Sequence, residues 1–405
     1  MIWLNKFKIL NDPIYGFISI PSILIFDIIE HPYFQRLRRI SQMGLSNFVY
    51  PGAHHTRFEH ALGAMHLMQK VVFVLRSKSI KISEEEEEAL LITILLHDIG
   101  HGPFSHTLEH SLVTNIKHEE ISLLFMQKLD IEFNGKLKLA IEILKGKYHR
   151  SFFNQLVASQ LDIDRLDYLK RDSFYTGVTE GNINAERIIS MLTVVDEKLV
   201  IEEKGIYSVE KFIVARRLMY WMVYLHKTSL VADYILVKIL KRAKELVKSN
   251  EDLISSEPLK YFLTNNDIHS FNDVTLNKFA EIDDYDIIMA VKQWMNHSDY
   301  VLSTLSKSFI YRNLPKIKIQ DKEFSTNEIE KIKLRVSKKL NLNIELIEYF
   351  VGSGIIENQA YNLENSSINI LYKSGEIKDI TEASDHLNLL ALTKPVLKHF
   401  IYHPK

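Results

Sequence analysis

The chain has 405 residues, no Cys, 50 Lys+Arg against 51 Asp+Glu, and a formal charge of −1. Without Cys there is no disulfide framework, thiolate zinc site, iron–sulfur cluster or cysteine nucleophile, so any metal has to be held by His and carboxylate. The balanced charge lacks the basic excess of a dedicated duplex-DNA binder, and nucleic acid is not the expected partner.

Only 14 Gly and 9 Pro are present, and long stretches between them repeat apolar residues at three- and four-residue spacing, which predicts a mostly α protein. At the N-terminus Lys6 and Lys8 alternate with hydrophobics, and Asn11-Asp12-Pro13 interrupts any apolar run, so no signal peptide is predicted. The apolar run Ala89 to Leu96 is too short to span a bilayer. A cytoplasmic protein with no membrane association is expected.

Residues 22–43 read as helix with a break near Pro32, with Phe34, Leu37, Ile40 and Met43 as its apolar stripe. Helices over 57–76 and 84–99 follow. Ser83 and Glu86 form a capping box for the second, and Glu84 to Glu88 place negative charge at the positive end of its dipole. Gly100, Gly102 and Pro103 stop it. Residues 116–145 and 154–172 continue the helical pattern. Thr193 to Asp196 and Leu199 to Glu202, around Glu197-Lys198, read as an inserted β-hairpin. A long amphipathic helix or helix pair covers 209–248, with Lys238, Lys241, Arg242, Lys244 and Lys248 on a solvated face. After about 315 the alternating runs 316–319, 348–351 and 368–371 predict a smaller α/β region. The expected division is a catalytic core over 1–250, a helical extension over 251–315 and the α/β region over 316–405.

Histidine usage is uneven. Of 17, His97, His101, His106, His110 and His118 fall within 22 residues, and His54, His55, His60 and His66 lie just upstream. His97-Asp98 sits in the last turn before Gly100, where side chains can enter a cleft. Two further ligands of suitable hardness are His60, in Thr56-Arg-Phe-Glu-His60, and Asp164, in Leu161-Asp-Ile-Asp-Arg-Leu-Asp-Tyr168. In the latter segment Asp162, Asp164 and Asp167 crowd together, and like charges so close repel unless a cation offsets them. Arg165 and Arg171 could instead pair with them as a surface network.

The spacing His60, His97-Asp98, Asp164 resembles the HD-domain metal-dependent phosphohydrolases. Five longer strings narrow the likeness: Asn11 to Gly16, Phe34 to Ile40, Tyr50 to His60, His97 to His106 and Asp162 to Asp172. Together they are similar to the deoxynucleoside triphosphate triphosphohydrolases of that family over about residues 5–235, and the SAM domain of its human member is not expected here. The resemblance implies a helical HD-domain core, one transition-metal ion (Fe, Mn or Zn) on His60, His97, Asp98 and Asp164, and Mg²⁺ with the substrate triphosphate. The implied reaction is attack on the α-phosphorus of a dNTP, leaving deoxynucleoside and inorganic triphosphate. A metal so held makes hydroxide a plausible nucleophile at neutral pH.

Residue by residue, the resemblance implies that His106 is the general acid, oriented by Glu109 three residues on, with His118 beside the α-phosphate. The human member has Asp at the position of Glu109 and Lys at that of Arg165. Arg57 and Arg165 would contact phosphate oxygens, and Arg216 would lie near the γ-phosphate. Gln42 and Asp172 would hold the 3′-hydroxyl, and Tyr168 and Tyr224 would exclude a ribose 2′-hydroxyl. Tyr220 stands where the family has His.

The resemblance also implies a dNTP or GTP effector bound between subunits of a homo-oligomer, a dimer or tetramer. Lys8, Asn11, Gln35 and Arg38 match one set of effector-site residues, with Glu30 where the human member reads guanine with Asp. Val49, Tyr50, His226 and Lys227 match another set, and Arg312 and Lys316 fall in a similar string. The alternatives are an HD phosphohydrolase acting on another nucleotide phosphoester, and a non-catalytic nucleic-acid-binding module.

Overall fold

The computed structural model describes residues 8–104, 107–108, 111, 113, 116–265, 271–363, 367–385 and 389–405. Its centre is the helix Arg57–Ser77, whose N-terminus is closed by Glu59 accepting from the Thr56 backbone N–H at 2.6 Å. Against it pack the helices Glu84–Leu96 and Ile163–Thr176. Glu84–Leu96 begins at the expected Ser83/Glu86 capping box. Its last eight residues, Ala89 to Leu96, are all buried, so the continuous apolar run is a helix covered on every side rather than an amphipathic one. It ends three residues before the predicted boundary.

The helix Ile163–Thr176 starts at Asp162, whose side chain accepts from the Arg165 backbone N–H at 2.8 Å, and stops at Gly177, at φ 74°. Its approach to the central helix depends on Gly63. A Cβ there would lie 2.1 Å from Arg171 Nη2 and 2.2 Å from Asp167 Oδ1. One turn from His60, the missing side chain makes room for a buried ion pair.

Several predicted helices are divided. Residues 22–43 form Ile23–Glu30 and Pro32–Gln35, separated at His31, whose extended backbone and ring nitrogen cap the second helix. Phe34, Leu37 and Ile40 are buried as the stripe requires. Residues 116–145 form His118–Glu132 and Lys138–Leu144, broken where Asn134 and Gly135 take positive φ. Residues 154–172 form Ser151–Val157 and the Asp164 helix. The stretch 209–248 is Ile206–Met219, a π-helical turn Tyr220–Tyr224, and Lys227–Lys248. On the last helix, Arg242 pairs with Asp299 at 2.6 Å and, with Lys238 and Lys241, lies within 6.0 Å of the Tyr349 ring centroid, so part of the expected solvated face packs against the C-terminal region.

The strands are β1 (Ile9–Asp12), β2 (Gly16–Ser19), β3 (Leu192–Val195), β4 (Lys198–Glu202), β5 (Lys316–Gln320), β6 (Gly352–Asn358), β7 (Asn369–Leu371), β8 (Ile377–Asp379) and β9 (Val396–His403). They form an N-terminal hairpin, a sheet ordered β3-β4-β7-β8, and a sheet ordered β5-β9-β6. The predicted hairpin is present, turning at Asp196 and Glu197, both at positive φ. It is not isolated, because β4 pairs in parallel with β7 and ties the core to the C-terminal region. Residues 348–351, expected as a strand, form a helical turn after Ile344–Ile347. Ile347, Tyr349, Phe350 and Val351 are all buried there, a pattern that a two-residue period cannot produce. Among the described residues no helix is long and apolar enough to cross a membrane.

Candidate metal centre and substrate cavity

His60 comes from the central helix, His97 and Asp98 from the end of Glu84–Leu96, and Asp164 from the first turn of its own helix. Their candidate ligand atoms all lie within 4.8 Å of one another. His60 Nε2 is 3.1 Å and His97 Nε2 is 3.5 Å from Asp164 Oδ1, and His97 Nε2 is 3.4 Å from Asp98 Oδ1. Each imidazole is oriented from behind: His60 Nδ1 donates to Asp167 Oδ2 at 2.8 Å, and His97 Nδ1 donates to the Ile94 carbonyl at 2.7 Å. Both Nε2 atoms are buried without a hydrogen-bond partner. Two lone pairs so presented, with two carboxylates and no sulfur, are a donor set that fits a divalent or transition-metal ion.

The electrostatics agree with that fit. Burial by itself would lower the His60 imidazole, but the proximity of Asp164 and Asp167 pulls it up to about 10. Burial likewise opposes the shift at His97, which Asp98 and Asp164 nonetheless raise. Against burial, His60 and His97 hold Asp164 well below the usual carboxylate range, and His97, His101 and Arg57 do the same for Asp98. The half-buried carboxylates therefore demand positive charge at the point where the two Nε2 atoms converge. Protons on the imidazoles or a cation between them can supply it.

The cluster opens into a cavity of about 490 Å³, within the range of small-molecule sites. Gln42, Arg57, His118, Arg165, Tyr168, Asp172 and Tyr224 line it together with His97, Asp98 and Asp164. Arg57 is buried, with Nη1 donating to Asp98 Oδ2 at 2.6 Å. Arg165 pairs with Asp162, and its Nε is buried without a hydrogen-bond partner, as is Gln42 Oε1. Asp172 accepts from His55 Nε2 and from the Tyr224 hydroxyl, each at 2.7 Å. The Tyr168 and Tyr224 rings meet edge to face at 6.1 Å. His106 and Glu109 lie outside the described residues. Arg216 is not among the lining residues; its Nη1 donates to the Ala360 carbonyl at 3.3 Å.

The proposed effector residues fall in two places. Lys8 Nζ sits 3.3 Å from the Phe26 ring centroid, Gln35 Nε2 donates to the Ile29 carbonyl and Arg38 Nε to Gln35 Oε1, while Asn11 and Glu30 are exposed. Elsewhere Tyr50 bonds the Met222 carbonyl and faces the His226 ring at 6.1 Å, and Arg312 Nε donates to the Phe48 carbonyl at 2.9 Å. Val49 lies between Phe48 and Tyr50. Lys227 opens the helix after His226, and Lys316 is the exposed first residue of β5.

Several supporting residues carried no individual signal in the sequence. His101 lines the cavity, with Nε2 3.5 Å from Asp98 Oδ1 and its ring stacked 3.9 Å from His118. Burial and the Arg57 charge keep His101 well below the ordinary imidazole range. Buried Arg36 donates to the His101 carbonyl from Nη1 (3.1 Å) and Nη2 (2.6 Å), fixing the turn behind His97-Asp98. Asp284, from the helical extension, accepts from Ser41 N at 2.8 Å and Phe104 N at 2.9 Å, joining two walls of the cavity. Arg171 does pair with a neighbouring carboxylate, Asp167, but in the interior rather than in a surface network.

The sequence matches the HD domain over residues 57–172 and the HD associated region over 183–261. The crystal structure of a phosphohydrolase from Bacteroides thetaiotaomicron is 50% identical, with a TM-score of 0.95, and the match covers 99% of this chain and 100% of that one. The uncharacterized protein YwfO of Bacillus subtilis is 31% identical over 99% of this chain and 93% of its own length. The deoxynucleoside triphosphate triphosphohydrolase SAMHD1 homolog of Dictyostelium discoideum is 31% identical over 61% of this chain and 51% of its own length, so the match spans about half of that relative.

Proposed function

As the chain belongs to the HD-domain phosphohydrolase family, we propose that its substrates are deoxynucleoside triphosphates, cleaved at the α-phosphate to deoxynucleoside and inorganic triphosphate. One observation carries this reading: of the buried polar atoms without partners on the described residues lining a single cavity, three have chemistry that suits three parts of such a substrate, the fourth being the Ser229 hydroxyl. His97 Nε2 belongs to the metal donor set, Arg165 Nε is a donor for a phosphate oxygen, and Gln42 Oε1 is an acceptor for a sugar hydroxyl.

His60, His97, Asp98 and Asp164 would hold a transition-metal ion, which would supply Lewis acidity and lower the pKa of water. Arg57 holds Asp98 in place, and Arg36 fixes the turn that carries it. Arg165 orients the triphosphate. His118 and the neutral His101 stand beside the reacting phosphate, and His106 supplies the proton to the departing sugar oxygen. Tyr168 and Tyr224 wall the cavity beside Asp172, an arrangement that supports steric rejection of a ribose 2′-hydroxyl. An effector nucleotide acting on a homo-oligomer is part of the proposal. The gathering of Tyr50, His226, Phe48 and Arg312, distant in the chain, supports a shared site.

The test is a product profile. Purified protein incubated with each dNTP and NTP, with Mn²⁺ or Mg²⁺, is expected to release triphosphate from the deoxy set alone. Pyrophosphate or orthophosphate as the product overturns the assigned bond, and equal turnover of ribonucleotides overturns the sugar reading. Adding GTP or dGTP to a dATP assay, with particle mass measured in parallel, tests the effector.

A further inference from the structure

Behind His60, on the side away from the cavity, lies a continuous line of buried charge that ends on the N-terminal hairpin. His60 Nδ1 bonds Asp167 Oδ2 at 2.8 Å. Asp167 receives a two-pronged contact from Arg171, Nε to Oδ2 at 2.9 Å and Nη2 to Oδ1 at 3.0 Å. The remaining arm, Arg171 Nη1, reaches Asp12 Oδ2 at 2.8 Å. Asp12 is itself held, because its Oδ1 accepts from Ile14 N at 2.8 Å and Tyr15 N at 3.0 Å in the turn between β1 and β2. All four side chains are buried. Gly63 provides the space in which the Asp167–Arg171 pair sits beneath His60.

We propose that Asp12 is a positioning residue for the metal ligand His60, acting through Arg171 and Asp167, so that the N-terminal hairpin is part of the metal centre's support. The inference rests on the metal reading of the cluster and is independent of which nucleotide is cleaved. The physical reason lies in how Arg171 divides its charge. With Asp12 present, the guanidinium is shared between two carboxylates, and Asp167 keeps enough negative charge to hold the His60 Nδ1–H firmly, fixing the ring and enriching Nε2 as a donor. Without Asp12, the arginine charge falls wholly on Asp167. Its grip on His60 slackens, and one guanidinium arm is left buried without its anion.

The experiment measures metal binding directly on full-length protein stripped with chelator, by titrating Mn²⁺ and following free and bound ion by electron paramagnetic resonance. Asp12→Asn keeps the turn acceptor and removes the anion. About tenfold weaker Mn²⁺ binding is expected, with an altered spectrum of the bound ion, at the lower end of the ~10–100-fold cost of losing an outer partner of a ligand. Ile18→Ala, which removes buried apolar contact from the same hairpin without touching the relay, is expected to bind Mn²⁺ within about twofold of the parent. Equal binding by Asp12→Asn and the parent overturns the proposal. So does equal weakening by both variants, which would mean that the hairpin matters only as a folded unit. If Asp12→Asn does not yield folded protein, Asp12→Ser, which keeps a short acceptor for the turn without the anion, carries the same test with the same two outcomes. A parent protein that binds Mn²⁺ but cleaves no dNTP rejects the substrate reading and leaves this proposal standing.

Discussion

His55 Nε2 lies 2.7 Å from Asp172 Oδ1, with both side chains buried and their positions 117 apart in the chain. His55 stacks on Tyr175 at 4.3 Å and 12°, so the imidazole is held flat while it grips the carboxylate. Tyr224 holds the other oxygen. Asp172 therefore enters the cavity with its orientation already set from two sides.

Removing one clamp should loosen the sugar end and leave the metal end intact. For His55→Ala, kcat/KM on a dNTP is expected to fall about 10- to 100-fold, the equivalent of about 1.4–2.7 kcal/mol. Discrimination against the matching ribonucleotide should narrow while bound metal stays stoichiometric. Steady-state kinetics on paired dNTP and NTP substrates, with metal analysis of the same preparations, checks this.

Gly63→Ala should reverse an ordinary trend. A mid-helix Gly→Ala change usually stabilises by about 1 kcal/mol, but here the new Cβ would meet Arg171 Nη2 at 2.1 Å and Asp167 Oδ1 at 2.2 Å. Overpacking together with disruption of a buried pair predicts a loss of about 3 kcal/mol or more. Urea unfolding of the metal-free variant, compared with the parent, measures it.

Metal uptake should compete with protons. In the metal-free protein the aspartates around His60 hold its pKa up to about 10, against a burial effect that acts in the opposite direction, so a proton occupies the imidazole at neutral pH. That raised pKa stabilises the metal-free fold below about pH 6.5, and the contribution is lost as pH rises through about 10. Apparent Mn²⁺ affinity should rise with pH over the same window, by up to about tenfold per unit for each proton displaced. Calorimetry in buffers of different ionisation enthalpy should record the released protons.

Asp284 offers a second pH signature, away from the metal. Burial pushes its carboxyl up to about 6, although it accepts from Ser41 and Phe104. A folded-state pKa above the unfolded value of about 3.9 stabilises the protein fully below that value, and the stabilisation is lost as pH rises through about 6. Asp284→Asn should flatten this slope. It also turns an amide N–H₂ toward one of two backbone donors, at a cost of about 1–3 kcal/mol. Denaturant unfolding between pH 4.5 and 7 distinguishes the two effects, because only the first varies with pH.

Much of the centre is legible in the sequence. The absence of Cys left His and carboxylate as the only strong ligands, and the clustering at His97-Asp98 with His60 and Asp164 singled out the four residues whose ligand atoms converge. Capping at Ser83 and the hairpin at 192–202 could be read locally, because both depend on residues a few positions apart. The failures have the opposite origin. The helix break at Asn134-Gly135 and the turn at 348–351 reflect backbone geometry and burial that apolar spacing does not encode, whereas the break at His31 falls beside the Pro32 that marks it in the sequence.

What the sequence by itself determined is which chemistry is available: an all-oxygen-and-nitrogen ligand set, on helices whose ends are marked by their caps. Tertiary structure alone decided what stands behind those ligands. The pairs Asp12–Arg171, His55–Asp172 and Asp284–Phe104 join residues 159, 117 and 180 positions apart. No local periodicity relates such partners. They meet because a strand, loops and helices pack together, and each contact gives a buried polar group the partner that water would otherwise supply.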